Sequence, residues 1–128
     1  MFRFESDKKY LITVSGTSDA GKSRVLSLTI DKFIQNGATL IQPLYSGTVD
    51  SVVVIEYNKH KIGISTGGDH VSILNRWLPA LLNYECDFII TATKSQGDTC
   101  IYVNDFARDN DFVLIPLHKY SKTTLKAS

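Results

Sequence analysis

Eight consecutive residues constrain this chain more than any other stretch: Gly16-Thr17-Ser18-Asp19-Ala20-Gly21-Lys22-Ser23 fits G-x-x-x-x-G-K-[ST], the pattern of a phosphate-binding loop. The spacing has a chemical reason. Glycine at both ends lets the backbone wrap an anion, with successive N–H groups turned inward toward phosphate oxygens. Lysine at the seventh position reaches the β and γ phosphates, and the serine hydroxyl after it takes a place on Mg²⁺. A chain of this length meets the pattern by accident roughly once in a hundred on residue frequencies, so the flanks have to decide. Lys9 to Ser15 is an apolar, β-branched run that reads as a strand entering the loop, and Ser23 to Asn36 reads as the helix that the loop opens. Strand, loop and helix stand in the order the motif needs.

On those residues the chain resembles the P-loop NTPase superfamily. The resemblance covers the first third of the sequence. It implies a three-layer α/β fold with a mostly parallel sheet of about five strands and one antiparallel hairpin, over a single domain spanning residues 1–128. It also implies that Gly16, Thr17, Ser18, Asp19, Ala20, Gly21, Lys22 and Ser23, with Arg24 directly after them, contact a nucleoside triphosphate. Lys22 would be catalytic and Ser23 a ligand of Mg²⁺.

Composition bounds the partners. Fourteen basic and thirteen acidic residues give a net charge of +1, which is no footprint for general nucleic-acid binding. Two cysteines, Cys86 and Cys100, make neither a disulfide framework nor a metal spacing. No apolar run reaches the length of a membrane span, and the first residues lack a signal-peptide core, so a cytoplasmic protein without a membrane contact is expected. Residues 118–128 read as a solvated tail carrying Lys119, Lys122 and Lys126.

Along the chain, Phe2 and Phe4 alternate with charged residues as in a short edge strand. In the first helix Val25, Leu26, Leu28, Ile30, Phe33 and Ile34 make a broad apolar stripe, and Asn36-Gly37 ends it. Ala38 to Asp50 carries Pro43 and little periodicity, and reads as an exposed connection. Ser51 to Tyr57 and Ile62 to Ser65 are strand-like and separated by four polar residues, which predicts a β-hairpin. That hairpin is similar to the one formed by the second and third strands of small GTPases. A helix from His70 carries Val71, Ile73, Leu74, Trp77, Leu78, Leu81 and Leu82, and Pro79 is expected to bend or divide it. Cys86 to Ala92 reads as a doubly buried strand, Thr99 to Asp109 as helix, and Phe112 to Leu117 as the last strand.

The second place where chemistry gathers is Ser65-Thr66-Gly67-Gly68-Asp69, at the end of a strand where an open α/β sheet meets its ligands. Its glycines resemble the γ-phosphate turn of small GTPases, with Ser65 where that turn has aspartate. With Asn75-Arg76 downstream, Thr66-Gly67-Gly68 also resembles the glycine turn of shikimate-kinase-like proteins, with Asp69 in place of a third glycine. Gly67 and Gly68 allow a close approach to an anion. Asp69 has two readings, a Mg²⁺ ligand with a catalytic role or the N-cap of the following helix. His70 is a candidate for a catalytic contact to a substrate, and Arg76 and Arg108 for a phosphate contact, each with a surface role as the alternative.

Thr93 to Thr99 is again polar after a strand and adds Lys94 as a catalytic candidate and Asp98 beside it. Thr93-Lys94-Ser95-Gln96 lacks the first and last residues of a guanine-specificity motif, which places ATP ahead of GTP. By position after the last strand, Leu117, His118 and Lys119 are candidates for the base. The expected function is a Mg²⁺-assisted NTPase, slow alone or completed by a protein partner. Phosphotransfer to a small molecule or nucleotide, and a nucleotide-dependent regulatory module without turnover, are the alternatives.

Overall fold

Among the described residues, runs of alternating and continuous apolar residues separated by helical stripes produce a six-stranded sheet with three helices on its two faces. The computed structural model describes residues 8–16, 21–46, 51–68, 70–94 and 97–118. The elements are β1 (Lys9–Gly16), α1 (Lys22–Gln35), β2 (Thr39–Ser46), β3 (Ser51–Tyr57), β4 (His60–Ser65), α2 (Val71–Asn83), β5 (Phe88–Lys94), α3 (Asp98–Asp109) and β6 (Phe112–His118). The expected edge strand at Phe2 and Phe4 lies outside the described residues, as does the tail beyond His118.

The sheet order is β2-β3-β4-β5-β1-β6. β1 pairs in parallel with β5 and β6, and β4 pairs in parallel with β5. β2–β3 and β3–β4 are antiparallel. The sheet is therefore mixed, not mostly parallel, and has six strands where about five were expected. Connection length is the cause: a parallel neighbour needs a crossover of a dozen or more residues, and only the helices supply one. The connections from β2 to β3 and from β3 to β4 are too short.

The additional strand is β2, in the stretch read as a connection. It sits at an edge, its register with β3 shifts between Leu40 and Gln42 and between Pro43 and Tyr45, and Leu40, Ile41, Gln42 and Pro43 are exposed. An edge strand tolerates proline and needs no buried face, so the usual period-two signal is missing.

Side-chain alternation divides the core in two. Leu11, Val52, Val54 and Ile89 face α2 and α3, where Leu74, Leu78, Leu81, Val103 and Phe106 meet them. Val14, Val53, Ile55, Ile62, Ile64 and Ala92 face the other way, against Leu26 of α1. Helix α2 runs unbroken through Pro79, which corrects the expectation of a division. The amide that proline lacks would have served the carbonyl of exposed Asn75, and Leu74, Leu78 and Leu81 are fully buried on both sides of it.

The predicted hairpin is present but tighter than four residues. His60 already belongs to β4, and the turn is Asn58-Lys59 with φ of 51° and 69°. Two successive left-handed residues match the twist of the strands; asparagine accepts that conformation and lysine does so at a cost. Replacing Lys59 with glycine is expected to stabilise the fold by about 0.5–1 kcal/mol in urea denaturation, with an unchanged m-value.

Both cysteines are free. Cys86 is fully buried in the α2–α3 core. Burial pushes its thiol up to about 12, with Lys61 opposing and Asp87 adding to the shift. Below the ordinary value of 9.0 the thiol is neutral folded and unfolded, so stability is unaffected. As pH rises from there toward 12, only the unfolded chain ionises, and that part of the stability is lost. Urea midpoints above pH 9 should therefore fall less steeply in Cys86→Ala than in the parent. Iodoacetamide should label half-buried Cys100 in the native protein and Cys86 only after unfolding.

Candidate functional site

Because β1, β4, β5 and β6 run in one direction, their C-terminal ends share one edge of the sheet. The strand register places Gly16 beside Lys94, and Ser15 between Thr93 and His118. Gly67 and Gly68 follow β4 at the same edge. The topology thus brings Gly16, Gly21, Lys22, Gly67, Gly68, Lys94 and the backbone of His118 together from five separate elements. Thr17, Ser18, Asp19, Ala20 and Asp69 lie outside the described residues, as does the side chain of Ser23.

Gly21 has φ 79° and ψ 31° and precedes α1 without a side-chain cap. That left-handed conformation favours glycine, and it turns the chain straight into the helix. Its carbonyl accepts from the Val25 amide at 3.1 Å, the first bond of α1. Lys22 is the first helical residue and only 4% exposed. Its ammonium donates to the carbonyl of Gly16 at 3.0 Å and to that of Thr93 at 2.8 Å. The lysine therefore ties the end of β1 to the end of β5. No acidic residue lies in the first turn of α1. Arg24, in the same turn, is exposed.

The turn after β4 is held by hydroxyls. The Thr66 amide donates to the Ser51 carbonyl at 3.0 Å, and the Ser51 amide donates to Thr66 Oγ1 at 2.9 Å. The Gly67 carbonyl accepts from Ser65 Oγ at 3.2 Å and from Thr91 Oγ1 at 3.4 Å. Gly67 and Gly68 are both buried, and neither amide has a hydrogen-bond partner among the described residues. Gly68 lies so close to β5 that an added Cβ would stand 1.6 Å from the Ala92 carbonyl oxygen.

The next helix begins at Val71 with His70 in the capping position, so the cap is one residue later than Asp69. The exposed His70 side chain makes no cap hydrogen bond. At the far side of the edge, the Lys94 amide donates to Thr99 Oγ1 at 3.0 Å and the Cys100 thiol donates to the Lys94 carbonyl at 3.0 Å. The Lys94 side chain itself is exposed. Asp98 opens α3, where a carboxylate complements the helix dipole. Arg108 is far along α3, 3.3 Å from Asp105 and 3.2 Å from Asp109, a surface ion pair outside the site.

Residues to which the sequence reading gave no role are Thr91, Thr93 and Thr99, which join Thr66 here. Thr66, Thr91, Thr93 and Thr99 are almost fully buried along this edge. In sequence Thr91 and Thr93 look like ordinary β-branched strand residues, and only the fold shows the Thr91 hydroxyl on the Gly67 carbonyl and the Thr93 carbonyl on the Lys22 ammonium.

As chemistry, the edge offers a cation, a helix N-terminus and amides without a partner among the described residues, all suited to an anion. Among the described residues no group of three His, Cys, Asp or Glu side chains could hold a metal; the expected Mg²⁺ ligands, the Ser23 side chain and Asp69, lie outside those residues. No helix among them is long and apolar enough to cross a membrane. Comparisons of the chain with protein-family models, curated proteins and solved structures return no match.

Gly68→Ala should destabilise the protein by several kcal/mol, because the obstacle is strand backbone and not a movable side chain. Chemical denaturation measures this, and a change below about 0.5 kcal/mol would show that the turn lifts freely off β5.

Proposed function

We propose that the chain is a P-loop protein that binds a nucleoside triphosphate at Gly16–Ser23, ATP ahead of GTP, and hydrolyses it slowly or with a partner's help. The observation that carries this reading is the position of Lys22. A buried ammonium at the first turn of a helix stands at the positive end of the helix dipole, where a cation is disfavoured. Two carbonyls hold it there. A polyphosphate entering the loop would bring its negative charge to this ammonium, and the first amides of α1 would bind it as well. Lys22 then neutralises charge on the β–γ bridge, the residues after β4 border the γ-phosphate, and Lys94 and His118 flank the pocket. The Mg²⁺ that accompanies a nucleotide fits the serine hydroxyl of the motif and, where Asp69 reaches it, a carboxylate; it would neutralise the phosphates.

Slow turnover follows from what borders the γ-phosphate. Ser65, Thr66, Gly67 and Gly68 present hydroxyls and amides, and no glutamate or glutamine follows them in the turn to orient water. Phosphotransfer is the second reading, favoured by a cavity of about 280 Å³ that adjoins Gly67 and has room for a small acceptor.

A thermal-shift panel of nucleotides with and without Mg²⁺ tests the assignment. ATP at a hundredfold excess over its Kd should add about 2.7 kcal/mol of stability. Lys22→Ala should weaken binding by about 2–3 kcal/mol, roughly thirtyfold or more. Unchanged ATP and GTP affinity in Lys22→Ala would overturn the reading. Turnover that begins only when a small metabolite or nucleoside monophosphate is added would select phosphotransfer.

A further inference from the structure

The cavity beside Gly67 has a chemistry of its own. It lies where the start of β3 and the end of β4 meet the first turns of α2, between Val52, Gly67, Ser72, Ile73, Arg76 and Trp77. Ser72 and Arg76 are four residues apart on α2 and so share one face of the helix. The Arg76 guanidinium carbon is 4.8 Å from the centre of the Trp77 ring, a cation–π contact that steadies the planar fork at the cavity wall. Unlike Arg108, which is taken up by Asp105 and Asp109, Arg76 forms no ion pair among the described residues. No acidic side chain lines the cavity among those residues. The Gly67 amide, at its other wall, has no hydrogen-bond partner among them either.

Among the described residues a guanidinium and a serine hydroxyl thus border this space and no carboxylate does. The guanidinium fork matches the two oxygens of a carboxylate or phosphate. At about 280 Å³ the cavity is at the lower end of the range for ligand pockets, a size for a small metabolite and not for a nucleotide. We infer that it is a second small-molecule site, which takes a compact organic anion whose carboxylate or phosphate group is held by Arg76 and Ser72 beside the glycine turn. The site is separate from the nucleotide loop and stands whether or not Lys22 binds a triphosphate.

Trp77 is the single tryptophan of the chain, so its fluorescence reports on this wall alone. The full chain is titrated with sodium malonate and with inorganic phosphate against sodium chloride at matched ionic strength, together with Lys22→Ala, Arg76→Gln and Ser72→Ala. The expected result is a saturable change in emission with malonate or phosphate. It should be retained in Lys22→Ala, weakened at least tenfold in Arg76→Gln and weakened severalfold in Ser72→Ala. Arg76 and Ser72 are exposed, so circular dichroism of both variants should match the parent. Either anion producing the change supports the site, and the preference identifies the group bound. No saturable change beyond chloride, or a change that survives Arg76→Gln, overturns the inference. So does a change that disappears in Lys22→Ala, since the anion would then be entering the phosphate loop.

Discussion

The Lys22 ammonium sits between the carbonyls of Gly16 and Thr93, and most of the candidate site depends on that bridge. It requires β1 and β5 to be neighbours, with Ser15 level with Thr93 and Gly16 with Lys94. It requires α1 to begin close above both strand ends, which the left-handed Gly21 makes possible. Burying a charge at the positive end of a helix opposes folding, so the surrounding structure has to be rigid enough to hold it. The rigidity comes from β1, whose Leu11, Thr13 and Val14 are buried between two parallel partners.

The same strand, β5, carries the second glycine segment. Thr91 donates to the Gly67 carbonyl, Ala92 leaves room only for a hydrogen at Gly68, and Thr93 accepts from Lys22. Three successive residues of one strand thus position both glycine segments, and successive residues of a strand span only about 3.3 Å each. A shift of β5 by one residue would move both elements together and turn its apolar side chains to the wrong face. That coupling makes a strand rich in threonine the alignment device of the edge.

Much of the architecture was legible in the chain. The phosphate-loop pattern, with a strand before it and a helix after it, announced β1 and α1. Alternating and continuous apolar runs announced β3, β4, β5 and β6, a helical stripe announced α2, and a mixed apolar pattern stood for α3. β2 was not legible, because an exposed edge strand with Pro43 and two register shifts has no buried face to impose a period. Pro79 misled in the other direction: tertiary packing of Leu74, Leu78 and Leu81 outweighs the hydrogen bond that a proline removes.

The sequence by itself determined the local chemistry: a glycine-framed lysine and serine, a pair of glycines after a strand, and side chains that sort into helix and strand by their spacing. Those are short-range properties, set by backbone freedom and periodicity. Only the tertiary structure decided which of these segments meet. The placement of β5 between β4 and β1, the threonine carbonyl that receives Lys22, and the cavity where Arg76 and Trp77 stand beside Gly67 all arise from contacts between residues distant in the chain. No local pattern encodes them, because strand order is settled by which faces can be buried together and which connections are long enough to cross.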